Sequence, residues 1–317
     1  MATYDSIIAR TETVIPEQME AEIFQAVPEA SAVMRRARRL RDMSRQEEKL
    51  RVVDALATAY FVGSTTAASG DSARIQTSEV NWTSVSILAA KLGVIVPIPA
   101  DVLQDLDYDA WAEIRPQIAE ALGKAFDAAV LYGTNAPSDW PDDLLTGATA
   151  ASTVVSLATK LDFYDAMMGE TGVISLVEGK GFMVNGHVAH VSTRSKMRGC
   201  RDSNGAPIFL SDPTSPTRYT LDGEPVDFPR NGAVSSASSL VVSGDWSQLV
   251  YSMRKGVTFQ MLTEASIFDG SGTLQYSLAQ DDMVALKATM RIGWQLPNPP
   301  NRIDGSATQY PFGILTA

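Results

Sequence analysis

The sequence predicts an α+β fold built on one long helix, a pair of long strands and a wide polar excursion. Three stretches carry that prediction. In "DVLQDLDYDAWAEIRPQIAEALGKAFDAAVLYG" (101–133) the apolar residues Trp111, Ile114, Ile118, Leu122, Ala125 and Ala129 recur every three or four positions, the spacing of one helix face. "GVTFQMLTEASIF" (256–268) and "DMVALKATMRIGWQL" (282–296) are long, partly β-branched and alternate at Val257, Phe259 and Met261 and at Val284 and Leu286, as paired strands do. "GSTTAASGDSARIQTSEVNW" (63–82) is small, polar and glycine-containing between two strand-like segments; an excursion of that length is usually functional or covered by a partner.

The remaining elements follow in chain order. Residues 1–15 have little periodicity and read as an extended arm. Pro16 suits the first turn of a short helix with Glu17, Glu20 and Glu22 near its N-terminus, a stripe of Met19, Ile23 and Ala26, and a stop at Pro28. In "SAVMRRARRLRDMSRQEEKLR" the cations Arg35, Arg36, Arg38, Arg39 and Arg41 are only partly answered by Asp42, Glu47 and Glu48. That pattern reads either as a solvated face or as a basic helix face turned inward, toward an acidic partner or packaged nucleic acid. "VVDALATAYFV" and "TSVSILAAKLGVIVPIP" read as strands flanking the excursion. The long helix takes Asp107 or Asp109 as N-cap and Gly133 as its stop, and Pro116 predicts a kink or a start near Arg115.

Further along, "LDFYDAMMGETGVISL" reads as helical at its start, with Asp162 near the N-cap. "GFMVN" reads as a short buried strand that turns out at Asn185-Gly186, and "GHVAHVSTRSKMRG" as a helix. "RDSNGAPIF" and "LDGEPVDF" each read as a turn followed by a strand. The tail is proline-rich and then apolar.

Hydrophobic residues make up 45% and charged residues 20%, enough for a sizeable core. A net charge of −11 argues against general nucleic-acid binding, which needs a basic surface. Cys200 is the only cysteine, so no disulfide joins two parts of the chain. The start lacks the charged and apolar regions of a signal peptide, and no apolar run reaches a membrane-spanning length.

Chemistry-bearing patterns are sparse. His187 and His190, the only histidines, lie three apart, but a metal site needs three or four ligands and nothing in the spacing selects the others. No GxSxG elbow and no Gly-Lys-Ser/Thr phosphate loop occurs. "DGSGT" (269–273) reads as a turn, and the pairs Asp142-Asp143 and Asp281-Asp282 as solvated loop acids. These residues predict no enzyme, no metal and no cofactor.

The order of these segments resembles the tailed-phage major capsid protein family, with its Hong Kong 97-type fold, over roughly residues 15–315. "VIPEQMEAEIFQAVPEASAVMRRAR" resembles the family's arm-to-helix opening, and "VNWTSVSILAAKLGVIVPIPADVLQDLDYDAWAEI" the return of its E-loop into the spine helix. "IAEALGKAFDAAVLYGTN" resembles the end of that helix, "GFMVNGHVAHVSTRSKMRGCRDSNGAPIF" an axial-domain passage, and "GDWSQLVYSMRKGVTFQ" with "DDMVALKATMRIGWQL" the peripheral-domain strands.

The resemblance implies an N-terminal arm and helix at 1–50 and an E-loop at 51–98. It implies a peripheral domain at 99–140 and 246–294, and an axial domain at 141–245 and 295–317. It implies a non-enzymatic virion protein, assembled in the host cytoplasm, whose copies form pentamers and hexamers of an icosahedral head around double-stranded DNA. The implied partners are further copies, a separate scaffolding protein, a portal and a decoration protein, with DNA contacted nonspecifically and no membrane. Arg74, Glu79 and Trp82 on the excursion, and Asp269, Thr273 and Gln275 between the long strands, are the expected intersubunit contacts. Arg35, Arg36, Arg38 and Arg39 are the expected inward-facing basic helix. Some family members cross-link an E-loop lysine to a neighbour's asparagine; here no lysine lies between Arg51 and Lys91, so no such cross-link is expected. Two other readings stand beside this one: an encapsulin-like nanocompartment shell and, more distantly, a metal-dependent hydrolase using His187 and His190.

Overall fold

The structure, a computed structural model, describes residues 31–59, 77–101, 110–160, 162–202, 204–209, 219–303 and 309–317. The expected arm, the helix after Pro16, the excursion at 60–76 and the capping aspartates Asp107 and Asp109 lie outside the described residues.

The long helix, α2 (Ala110–Tyr132), is present and runs through Pro116 rather than starting after it. Gly133 ends it at φ +65°, with its N–H donating to the Ala129 carbonyl at 3.0 Å; that left-handed conformation costs glycine nothing. Ile118, Leu122, Phe126, Ala129 and Val130 are buried. Ala125, expected on the same stripe, is exposed, because Phe126 and Ala129 hold the contact face and turn it outward.

That face lies on a sheet of order β1-β10-β13-β4, formed by β1 (Arg38–Arg39), β4 (Ala90–Pro99), β10 (Val250–Leu262) and β13 (Met283–Gln295). The expected long pair is β10 and β13, antiparallel from Val250↔Gln295 to Leu262↔Ala285. Strand periodicity shows in β13, where Leu286, Ala288, Met290, Ile292 and Trp294 are buried against α2 while Arg291 is exposed. Each large side chain so buried contributes about 1.5–3 kcal/mol. Trp140 sets its ring edge-on to both Phe126 (6.2 Å) and Trp294 (6.4 Å). The alternation expected at Val257, Phe259 and Met261 holds: Val257 is in the core, Phe259 packs against it, and Met261, paired with Leu286 on the same face, is exposed where the strand runs past the core. Bulges between Met253 and Lys255 and between Lys255 and Thr258 interrupt the period only on the N-terminal side.

A six-stranded sheet of order β5-β14-β9-β6-β8-β7 forms a second layer. Its strands are β5 (Val154–Ser156), β6 (Gly186–Ala189), β7 (Thr220–Leu221), β8 (Glu224–Asp227), β9 (Val241–Gly244) and β14 (Phe312–Thr316). The turn between β7 and β8 places Asp222 and Gly223 at φ +52° and +82°, as a tight hairpin requires. The apolar tail is β14, nearly all buried, parallel to β5 and antiparallel to β9. Around the sheet pack α3 (Leu144–Ala150), α4 (Leu157–Lys160), α5 (Phe163–Met168), α6 (Val173–Gly179) and α7 (Thr193–Gly199). Asp162 caps α5 through the Tyr164 N–H, as expected. One buried cluster runs from α2 through Trp246 to Phe312 and Ile314, so the two sheets share a core.

Two expectations near residue 185 are corrected. "GFMVN" is not a strand; β6 begins at Gly186, where the chain was expected to turn out. His187 therefore lies in a buried strand rather than on a helix, and His190 just beyond its end. The apolar run Gly186–Ala189 is too short to separate strand from helix by periodicity, and pairing with β9 and β8 decides. "RDSNGAPIF" makes its turn, with Gly205 at φ +83°, but only an isolated Arg201–Pro207 bridge follows it.

Candidate assembly surfaces

β2 (Glu47–Val53) and β3 (Trp82–Leu88) form a two-stranded ribbon, in register from Glu47↔Leu88 to Val53↔Trp82. β2 begins inside the charged run, where no strand was expected: Arg41 reaches across to Glu48 (2.6 Å), and Ser86 donates to Glu47 (2.6 Å). Ile87 anchors the ribbon's base among Met43, Ala89 and Val250. Away from the base, Trp82 is 68% exposed, and Val80 and Glu79 are exposed beside it. Arg74 lies outside the described residues. A lone two-stranded ribbon is marginal in water, and a bare tryptophan on it gains by being covered.

β11 (Ser266–Phe268) and β12 (Leu274–Ser277) form a second hairpin between the long strands. Leu278, Met283 and Ala285 anchor its base. Asp269 Oδ1 accepts from the Ser271 N–H (2.9 Å), the Ser271 hydroxyl (2.7 Å) and the Thr273 N–H (2.8 Å). These bonds, the Ser271 hydroxyl first, hold its carboxyl below the usual range. Asp269 and Thr273 are thus occupied in shaping their own turn, while Gln275 is exposed. The side chains the turn presents are Phe268 (59% exposed) and Leu274 (51%), a directly paired cross-strand couple that the sequence reading missed. Their signal was present as large apolar residues immediately flanking the five-residue turn. With Phe268→Asp and Leu274→Asp together, the monomer's melting curve should stay unchanged, because exposed positions contribute little. Particle yield should fall at least tenfold, given about 1.4 kcal/mol per decade and more than that for each apolar side chain uncovered. Light scattering and negative-stain microscopy read the outcome.

The expected basic helix does not exist as one face. α1 (Ala32–Arg36) ends after five residues, and Arg38 and Arg39 continue as β1 alongside β10. Arg36 is drawn inward, its Nε donating to Asp227 at 2.6 Å and Nη2 to the Pro225 carbonyl at 3.0 Å. Arg35 and Arg38 are exposed, and Arg39 pairs with Asp42. What fixes α1 is Asp127, a buried α2 carboxylate that accepts from the Ser31 hydroxyl (2.5 Å) and from the N–H groups of Ala32 (2.9 Å) and Val33 (3.2 Å).

The two histidines have separate surroundings. His187 is fully buried, with Nδ1 2.8 Å from the Ser243 hydroxyl and Nε2 3.2 Å from the Leu221 carbonyl. A carbonyl only accepts, so Nε2 carries the proton and Nδ1 accepts from Ser243. His190 Nδ1 instead accepts from the Ser192 N–H at 3.2 Å. Among the described residues no three His, Cys, Asp or Glu side chains come together to hold a metal. A cavity of about 340 Å³ between α2 and β4 is lined mainly by alanines, Leu92, Phe126, Trp140 and Ile292, with Lys124 from α2 and the edge strand at Lys91 beside it, and offers no acid–base pair.

A model of the phage capsid family matches residues 12–301. The major capsid protein of Staphylococcus phage 80alpha is 25% identical over 281 residues, covering 85% of this chain and 78% of that protein. The probable major capsid protein gp17 of Mycobacterium phage D29 is 25% identical over 217 residues, 65% of either chain. A solved chain of Microbacterium phage Oxtober96 superposes with a TM-score of 0.76 at 29% identity, covering 100% of this chain and 95% of its own. One of Mycobacterium phage Adephagia does so with 0.75 at 26%, over 90% and 89%.

Proposed function

The chain belongs to the phage capsid family, and we propose on that footing that it is the major capsid protein of a tailed phage. In this reading its copies close as pentamers and hexamers into an icosahedral head around double-stranded DNA. The observation that carries it is coverage: both the family match and the Oxtober96 superposition run through nearly the whole chain. The two exposed hairpins supply what ring formation needs, since a heterologous contact sets one surface of a subunit against a different surface of the next.

The finer assignments follow the same reading. Residues 1–50 are the arm and helix. Residues 51–98 are the E-loop, whose last strand enters the sheet of the peripheral domain. Residues 99–140 and 246–294 are that domain, with α2 as spine helix, and 141–245 with 295–317 are the axial domain. Scaffolding comes from a separate protein, and a portal and a decoration protein complete the particle. Assembly takes place in the host cytoplasm, and the protein ends in the virion.

Expression of the full chain, with scaffold supplied, tests this by size exclusion, electron microscopy and assay of enclosed nucleic acid. Closed shells are expected; a protein that stays monomeric throughout would overturn the reading. Boiled in SDS, the particles should run as a 34.1 kDa band, because the excursion has no lysine to cross-link. A ladder of multiples would show a covalent network formed by other residues.

A further inference from the structure

The sheet face turned away from α2 carries an unexplained charge pattern. Three residues align across the neighbouring strands β4, β13 and β10: Lys91 is in register with Arg291, and Arg291 with Lys255. The next rows are Gly93, Thr289 and Thr258, then Ile95, Lys287 and Gln260. Neighbouring strands lie about 4.8 Å apart, so the three cations of the first row span about 10 Å. Lys91, Arg291 and Lys255 are exposed, Lys287 is half-buried, and none makes an ion pair among the described residues. No carboxylate stands in these rows, in a chain of net charge −11.

Like charges directly opposite one another on a sheet repel, yet the backbone is shaped to bring them together. Met253 faces the core, so strict alternation would send Lys255 to the open face only by skipping a residue. The bulge at Arg254 does that, and a second bulge restores register at Thr258. The surface therefore fits an anionic partner with an apolar component for Ile95.

Residues 11–30 of this chain carry Glu12, Glu17, Glu20, Glu22 and Glu29 with no lysine or arginine, and Ile15, Met19 and Ile23 among them. This segment enters the described structure at Ser31, which Asp127 fixes on the α2 side of its own sheet, opposite the cationic rows. Twenty residues span up to about 65 Å, enough to reach another subunit. We propose that the acidic segment 11–30 of a second copy lies across the Lys91–Arg291–Lys255 face. The proposal rests on the shell reading and specifies which surfaces meet.

Particles assembled from mixed unlabelled and 15N-labelled protein, treated with a zero-length carbodiimide and mapped by mass spectrometry, test it. Mixed-isotope links from the glutamates of 11–30 to Lys91, Lys255 or Lys287 are expected. Lys91→Glu, Lys255→Glu and Arg291→Glu together should cut particle yield at least about tenfold without changing the monomer's melting curve, since like-charge juxtaposition is costly at an interface. Adding Glu17→Lys, Glu20→Lys and Glu22→Lys should restore it. Particles that form with no such links, or with links inside one copy only, would overturn the proposal and leave the shell reading intact. Protection of these lysines only in DNA-filled particles would assign the face to nucleic acid and overturn it too. A protein that never leaves the monomer would remove both readings.

Discussion

Between pH 7 and pH 4 the unassembled subunit should lose about 3 kcal/mol of stability through His187, and a His187→Gln variant should lose most of that dependence. Burial pushes the imidazole from 6.5 down to about 4, and the nearby Arg36 guanidinium adds to the effect against the opposing bond to the Leu221 carbonyl. The group is neutral when folded and takes up a proton when the chain unfolds. Its contribution is therefore complete above pH 6.5 and lost as pH falls toward 4, at about 1.4 kcal/mol per pH unit. Glutamine keeps a partner for Ser243 and does not titrate. Urea unfolding of the monomer at pH 7, 6, 5 and 4 measures the slope; equal slopes in the two proteins would show that the acid sensitivity arises elsewhere.

Asp127→Ala should cost about 3–5 kcal/mol, since each buried donor left without an acceptor costs about 1–3 kcal/mol. It would leave the first N–H groups of α1 and the Asn231 amide, which donates to Asp127 at 3.1 Å, facing an apolar gap. Asp127→Asn, equal in volume, should recover little, because it turns an amide donor toward groups that also donate. Burial outweighs the four hydrogen bonds and raises this carboxyl above its ordinary value. The sign is opposite to that of His187: a raised acid binds protons better folded than unfolded, so it contributes more as pH falls toward 3.8. Urea midpoints for the three proteins at pH 7 provide the check; an asparagine variant as stable as the parent would show that packing, not hydrogen bonding, holds the helix.

Long elements were legible in the sequence. α2, β10 and β13 repeat their period often enough to identify themselves, and the Gly133 stop and the Asp162 cap were readable as single residues. Short elements were not. β6, four buried residues long, carries no period and was placed in a helix, taking both histidines with it. α1 hides in an arginine run that looks continuous, because its start is fixed by a tertiary bond to Asp127, 95 positions away, and its stop by the pairing of Arg38 and Arg39 with β10. For the surfaces, Trp82 was readable as a large apolar residue in polar company. The cationic row on the sheet was not, because it joins residues from three strands through a bulge that only pairing creates.

The position of β14 sets a timetable for synthesis. It lies between β5 and β9, where Leu240 donates to the Leu315 carbonyl at 2.7 Å and the Thr153 hydroxyl to that of Phe312 at 2.8 Å. Every other strand of that sheet leaves the ribosome first and waits with a vacant place in its middle. The shared core running to Phe312 and Ile314 stays incomplete with it. A chain in which β14 has not yet been made is therefore not yet a rigid building block.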